Sequence, residues 1–142
     1  MPKLDVGVIG VGHLGALHGK MYSQIGSANL VGIYDIDAAK AKQVADELST
    51  KAFGSIEELI DASDAVSVVT TTLAHYDAAL KALRQGVHTF IEKPITETIE
   101  QAQSLVREAA DRKLKIQVGH IERFNPAILA LESYEIKPLF IE

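Results

Sequence analysis

The chain has 142 residues, with 14 Lys and Arg against 19 Asp and Glu, a formal net charge of −5 and no cysteine. An acidic chain without a basic cluster is a poor match for nucleic acid, whose phosphates must be neutralised by Lys and Arg together, and the lack of thiols excludes disulfides and thiolate metal sites. No apolar run approaches the ~20 residues that a membrane-spanning helix needs, and the opening MPKLDVGVIG lacks the layout of a secretory signal, so a soluble cytoplasmic protein away from membranes is expected.

Strands and helices alternate along the chain. Residues 4–10 form a short apolar β-rich run. Residues 13–25 follow with Leu14, Leu17, Met21 and Ile25 at helical spacing. Residues 30–34 are a second strand closing on Asp35, and Asp37 is placed to cap a helix over 38–48. Residues 51–53 are a candidate short third strand. Ser55 precedes a short helix with Glu57 and Glu58 in its first turn, a capping arrangement that suits the helix dipole. A fourth strand is expected over 65–70, a helix over 75–85 stopped by Gly86, a fifth strand over 87–91, a helix over 96–112 and a sixth strand over 114–118. One more helix is expected over 123–131, opened near Pro126, and residues 137–142 could begin another strand. Such alternation indicates βαβ units and a parallel sheet, an α/β doubly wound fold of Rossmann type. The near-continuous apolar strands fit a sheet buried on both faces.

Residues 7–15 read GVIGVGHLG, and Gly10, Gly12 and Gly15 match the G-x-G-x-x-G pattern. The pattern gains weight from its place, directly after a strand and opening a helix. In that setting Gly10 permits the tight turn, Gly12 lets a diphosphate approach the backbone, and Gly15 lets helix and strand pack closely. The helix start, with His13 and Leu14, offers N–H groups and a positive dipole to phosphate. His13 would contribute its backbone N–H, with its ring at the surface. The bland alternative is a strand–helix turn that merely needs small residues.

Asp35 lies twenty residues beyond Gly15. A carboxylate there can accept hydrogen bonds from the ribose hydroxyls of an adenosine and would repel a 2′-phosphate. Ile36 and Asp37 follow where users of NADP commonly place an Arg, so NAD is favoured over NADP. Asp35 could otherwise be a solvated strand-end acid, and Asp37 is read as a helix cap. Lys40 is read as pointing to water.

The fifth strand ends HTFIEKPIT. A lysine at a strand end in a cleft can polarise a carbonyl or bond a reacting hydroxyl, and Pro94 would stiffen the turn that carries it. The glycine turn, the acid after the second strand and Glu92-Lys93-Pro94 occur in the order and at the spacing of the Gfo/Idh/MocA oxidoreductases, which the chain resembles over nearly its whole length. That resemblance implies an NAD-dependent oxidoreductase acting on CH–OH groups of a sugar or nucleotide-linked sugar. It makes Lys93 the catalytic lysine near nicotinamide and substrate, and Glu92 a cofactor-side residue. Thr70 and Thr72 become cofactor contacts, although the family often has proline where this chain has Thr71. His75 becomes a residue near the nicotinamide, with a purely structural histidine equally open. Residues 118–127 resemble a segment bordering the family's active site, with Arg123 and Asn125 as substrate-side candidates or as a solvated helix start. The phrasing as a whole most resembles the bacterial UDP-N-acetylglucosamine 3-oxidase branch.

His18, His88 and His120 share no metal-ligand spacing, so no metal is expected. The resemblance implies a second, substrate-binding domain that the 142 residues do not include. Residues 1–131 are therefore read as the dinucleotide-binding domain and 132–142 as the start of a crossing, with Leu139, Phe140 and Ile141 needing a partner surface. On that reading the chain alone binds NAD and does not turn over. A homo-oligomer is left open, as are two other functions: a non-catalytic NAD-sensing module and, ranked last, a methyltransferase.

Overall fold

A computed structural model describes residues 2–131 and 133–135. The strand expected at 137–142, with Leu139, Phe140 and Ile141, lies outside the described residues.

Five strands form one all-parallel sheet: β1 (Leu4–Ile9), β2 (Ala28–Tyr34), β3 (Ala65–Val68), β4 (His88–Ile91) and β5 (Ile116–Val118), in the order β2-β1-β3-β4-β5. Alternation along β1 divides the core. Ile9 faces one apolar cluster together with Val66 and Val68, while Val8 faces the other with Ile33. The first cluster is closed by α3 (Ile56–Asp61), α4 (Thr72–Arg84) and α5 (Ile99–Asp111) through Leu59, Ile60, Ala79, Leu83 and Leu105. The second is closed by α1 (His13–Gln24) and α2 (Ala38–Leu48) through Ala16, Ala41, Val44 and Ala45. Helices thus cover both faces, as a parallel sheet requires. Each fully buried Leu or Ile contributes about 1.5–3 kcal/mol relative to exposure.

The chain leaves β1 for β2 on one side and returns to β3 on the other. That reversal opens a crevice above the carboxyl ends of β1 and β3, the place where doubly wound sheets bind ligands.

Several boundaries differ from the sequence expectation. Residues 51–53 make no strand, only a single bridge between Ile33 and Ala52; Gly54 and the capping residue Ser55 turn the chain into α3 before a ladder can lengthen. The strands expected as fourth, fifth and sixth are accordingly β3, β4 and β5. Helix α4 begins at Thr72 rather than at residue 75, because Thr71 is already extended and serves as its N-cap. Helix α5 begins at Ile99, where Thr98 and Gln101 form a reciprocal capping box. The helix expected over 123–131 is a 3-10 turn (Ile121–Phe124) followed by α6 (Pro126–Leu129). Pro126 explains the break, since it disfavours the helical region for the residue before it and Asn125 is extended.

The apolar stripe of α1 is not its core face. Leu14, Leu17, Met21 and Ile25 are 44–49% exposed, whereas Gly15 and Gly19 are buried. The helix lies on the sheet through its smallest residues, which lets its axis come close to β1.

Candidate functional site

The glycine turn joins β1 to α1 at the crevice. Gly10 has φ +87°, a conformation that costs other residues roughly 1–2 kcal/mol, and a Cβ there would lie 2.7 Å from the Val69 carbonyl. Gly15 packs on the Gly10 carbonyl so closely that a Cβ would collide with it. Gly12 differs from both: a Cβ on it would meet nothing nearer than Lys40 Nζ at 3.9 Å. The space over Gly12 is therefore open, as the approach of a diphosphate demands. Gly12 is also the N-cap of α1 and supplies no side chain to its first turn, which holds no acidic residue. The N–H groups at His13, Leu14 and Gly15 thus keep their capacity for an anion. His13 and Leu14 are exposed at this helix start.

Asp35 stands just past β2, and both its oxygens are engaged. Oδ2 accepts from the Val11 N–H at 2.8 Å and Oδ1 accepts from the Asp37 N–H at 3.0 Å. A carboxylate has about four acceptor sites, so hydroxyl donors can still be received. Ile36 beside it is 93% exposed, an apolar shelf at the crevice edge. Asp37 caps α2, accepting from Ala39 N–H and Lys40 N–H. Lys40 is exposed, yet its ammonium overhangs the glycine turn rather than standing clear of it.

At the end of β3, Thr70 is half-buried and its hydroxyl donates to the Thr71 carbonyl at 3.2 Å. Thr72 is the first residue of α4. His75, expected at a helix start, sits one turn inside α4 and is only 1% exposed. Its Nδ1 contacts the Pro94 carbonyl at 2.8 Å and its Nε2 the Thr70 carbonyl at 3.1 Å. The ring therefore ties the strand end after β3 to the turn after β4. That turn carries Lys93, which is exposed, followed by a cis Lys93–Pro94 peptide. Among the described residues no carboxylate pairs with the Lys93 ammonium.

Glu92 turns inward. Its side chain is 12% exposed, with Oε1 3.2 Å from His18 Nε2 and Oε2 accepting from the Lys93 N–H at 3.1 Å. His18 Nδ1 meets Ser67 Oγ at 2.9 Å, and Tyr22 reaches the same hydroxyl at 3.3 Å. Sequence reasoning did not single out His18, Tyr22 or Ser67 for this network. The available signal was a serine in the middle of an apolar strand.

Arg123 is exposed in the 3-10 turn beyond β5. Asn125 accepts from the Ala127 N–H at 2.9 Å and donates to Glu122 Oε2 at 2.8 Å, so it caps α6. A depression of about 620 Å³ lies at the opposite end of the sheet and is lined by Lys3, Asp61, Asp64 and His88 among others. There Asp64 already accepts from the Asp5 N–H and His88 Nδ1 from the Lys115 N–H. Among the described residues no group of three potential ligands could hold a metal, and no helix is long and apolar enough to cross a membrane.

An open glycine turn, an acid locked to it and a lysine at the neighbouring strand end, all on one edge of a parallel sheet, define a dinucleotide-binding Rossmann domain. Residues 4–120 match the family model described as an oxidoreductase family with an NAD-binding Rossmann fold. The chain belongs to that family, Gfo/Idh/MocA. It is 44% identical over 128 residues to a UDP-N-acetylglucosamine 3-dehydrogenase of Acidithiobacillus ferrooxidans, covering 90% of this chain and 40% of that one. It is 33% identical over 129 residues to a glucose-6-phosphate 3-dehydrogenase of Bacillus subtilis, covering 90% of this chain and 37% of that one. A solved structure of the Acidithiobacillus ferrooxidans UDP-N-acetylglucosamine 3-dehydrogenase superposes with a TM-score of 0.89 at 44% identity, covering 94% of this chain and 43% of that one. The chain spans about 40% of the length of the first of these curated relatives.

Proposed function

We propose that this chain is the cofactor-binding domain of a dehydrogenase that oxidises a hydroxyl of a sugar or nucleotide-linked sugar with NAD. The observation that carries the reading is the bond between Val11 N–H and Asp35, which locks the ribose-binding acid to the phosphate-binding turn. In this reading Gly10, Gly12, Gly15 and the N–H groups of His13 and Leu14 hold the diphosphate, while Asp35 receives the adenosine ribose hydroxyls. Ile36 borders the adenine. Thr70, Thr72, His75 and Glu92 flank the nicotinamide half. NAD, when bound, supplies the acceptor for a hydride from a carbinol carbon.

Lys93 is the catalytic residue in this reading, at the oxygen of the reacting carbon, where an ammonium can hold the hydroxyl and steady developing charge. Arg123 and Asn125 stand on the substrate side. The nucleotide-linked substrate class is supported by the 44% identical relative, a UDP-N-acetylglucosamine 3-dehydrogenase. Because the chain spans 40% of that relative, the isolated chain is expected to bind cofactor without turnover, since positioning substrate supplies much of a catalyst's power. NAD is favoured over NADP because Asp35 would meet a 2′-phosphate with like charge.

The test is calorimetric titration with NADH and NADPH, with Asp35→Ala in parallel. Preferential NADH binding that the variant weakens supports the reading. Preference for NADPH overturns the role of Asp35, and the absence of binding to a folded chain overturns the cofactor reading itself.

A further inference from the structure

Beneath the crevice, side chains from one helix and from two neighbouring strands or their ends form one line of hydrogen bonds. Tyr22 and His18 stand on α1, Ser67 in the middle of β3 and Glu92 just past β4. A carboxylate only accepts, so His18 Nε2 carries the hydrogen toward Glu92. Nδ1 of a singly protonated ring then accepts from the Ser67 hydroxyl, and the Ser67 oxygen accepts from Tyr22. Each donor finds an acceptor: the line runs from Tyr22 through Ser67 and His18 to Glu92, and the Lys93 N–H donates to the same carboxylate from the other side.

The surroundings hold this line in place. Ser67 is fully buried, and a buried hydroxyl is costly unless bonded. The Phe90 ring meets the His18 ring edge-on at 5.5 Å. Gly119, just past β5, leaves room for the carboxylate; a Cβ there would sit 2.8 Å from Glu92 Oε1. Glu92 is thus bounded by His18, by Gly119 and by the backbone of Lys93.

We infer that His18 is a positioning residue for Lys93. Acting through Glu92, it fixes the turn that carries the lysine to the helix whose start faces the diphosphate. The inference rests on the reading of Lys93 as the group at the reacting oxygen. It has a consequence that a mere core contact lacks: the two ends of the crevice are set relative to each other by one side-chain pair between α1 and β4.

The experiment uses the full chain and compares wild type with His18→Ala and His18→Gln, the glutamine keeping an N–H donor toward Glu92. Residue-resolved amide exchange at Lys93 is measured beside core amides such as Ile33, together with NADH affinity. Losing a charge-assisted bond is expected to speed Lys93 exchange about tenfold in His18→Ala while core amides keep their rates, with NADH affinity falling about fivefold or more. His18→Gln is expected to recover most of both. Lys93 exchange that is unchanged, or that rises only in step with the core, overturns the inference, as does unchanged NADH affinity in His18→Ala. If wild type binds no NADH, the cofactor reading falls, and the Lys93 amide alone still decides whether His18 positions the turn.

Discussion

The Val11 N–H donates to Asp35 Oδ2 across 2.8 Å, from the middle of the glycine turn to the residue after β2. Two parts of the proposed cofactor site that lie 24 positions apart are thereby one rigid unit. Val11 is only 1% exposed, so its N–H has little recourse to water if the acid is removed.

Asp35→Ala is expected to weaken NADH binding roughly tenfold to a hundredfold, the size of losing a hydrogen bond to a charged group. NADPH should be weakened less, because the variant also removes a like charge from the 2′-phosphate. Calorimetry with both cofactors checks this. An equal loss for the two would assign the effect to a disordered turn rather than to the ribose contact.

Gly10 and Gly12 are expected to separate folding from binding. Gly10→Ala puts a Cβ at φ +87° and against the Val69 carbonyl, so the melting temperature should fall by the several degrees that about 2 kcal/mol represents in a domain of this size. Gly12→Ala meets only Lys40 Nζ at 3.9 Å, so the fold should keep its melting temperature. Its methyl group would nevertheless stand where a diphosphate approaches, and NADH binding should be lost. A Gly12→Ala chain that binds like wild type would remove the diphosphate from this turn.

His75→Phe is expected to destabilise the chain by about 1–3 kcal/mol, because a buried carbonyl, that of Thr70 or of Pro94, loses the ring N–H as its donor. Chemical denaturation measures the loss. The same variant should loosen the Lys93 turn, which a rise in amide exchange at Ile95 would register. No change in stability would mean that neither carbonyl depends on the ring N–H of His75.

The parts of the candidate site carried by contiguous residues were legible in the sequence. Gly10, Gly12 and Gly15 sit on a turn whose strand and helix are local, and Asp35 closes a strand whose end is readable from hydropathy alone. Glu92 and Lys93 were legible as a motif but not in their contacts. The His18–Glu92 pair spans 74 positions and depends on β3 and β4 lying side by side, which no local pattern encodes. The stripe Leu14, Leu17, Met21 and Ile25 has the spacing of a core face, yet it lies outward because Gly15 and Gly19 give the closer approach to the sheet. His75 looked like a helix start because the cap at Thr71 makes no side-chain bond and left no strong sequence mark.

Lys40 gives the last prediction. From the sequence it reads as a solvated helix lysine, and it is indeed exposed, but its ammonium overhangs Gly12 from the first turn of α2. Among the described residues no carboxylate pairs with it, so its charge is available to a phosphate entering over Gly12. An exposed ion pair contributes about 0.2–1 kcal/mol, so Lys40→Ala should weaken NADH no more than about fivefold. Salt should screen the contact, and the variant should therefore lose part of the ionic-strength dependence that wild type shows. Lys40→Glu should weaken binding further, because it sets a like charge beside the phosphates. Titrations at low and high salt separate the two explanations. Equal salt dependence in wild type and Lys40→Ala would return this lysine to a purely solvated role.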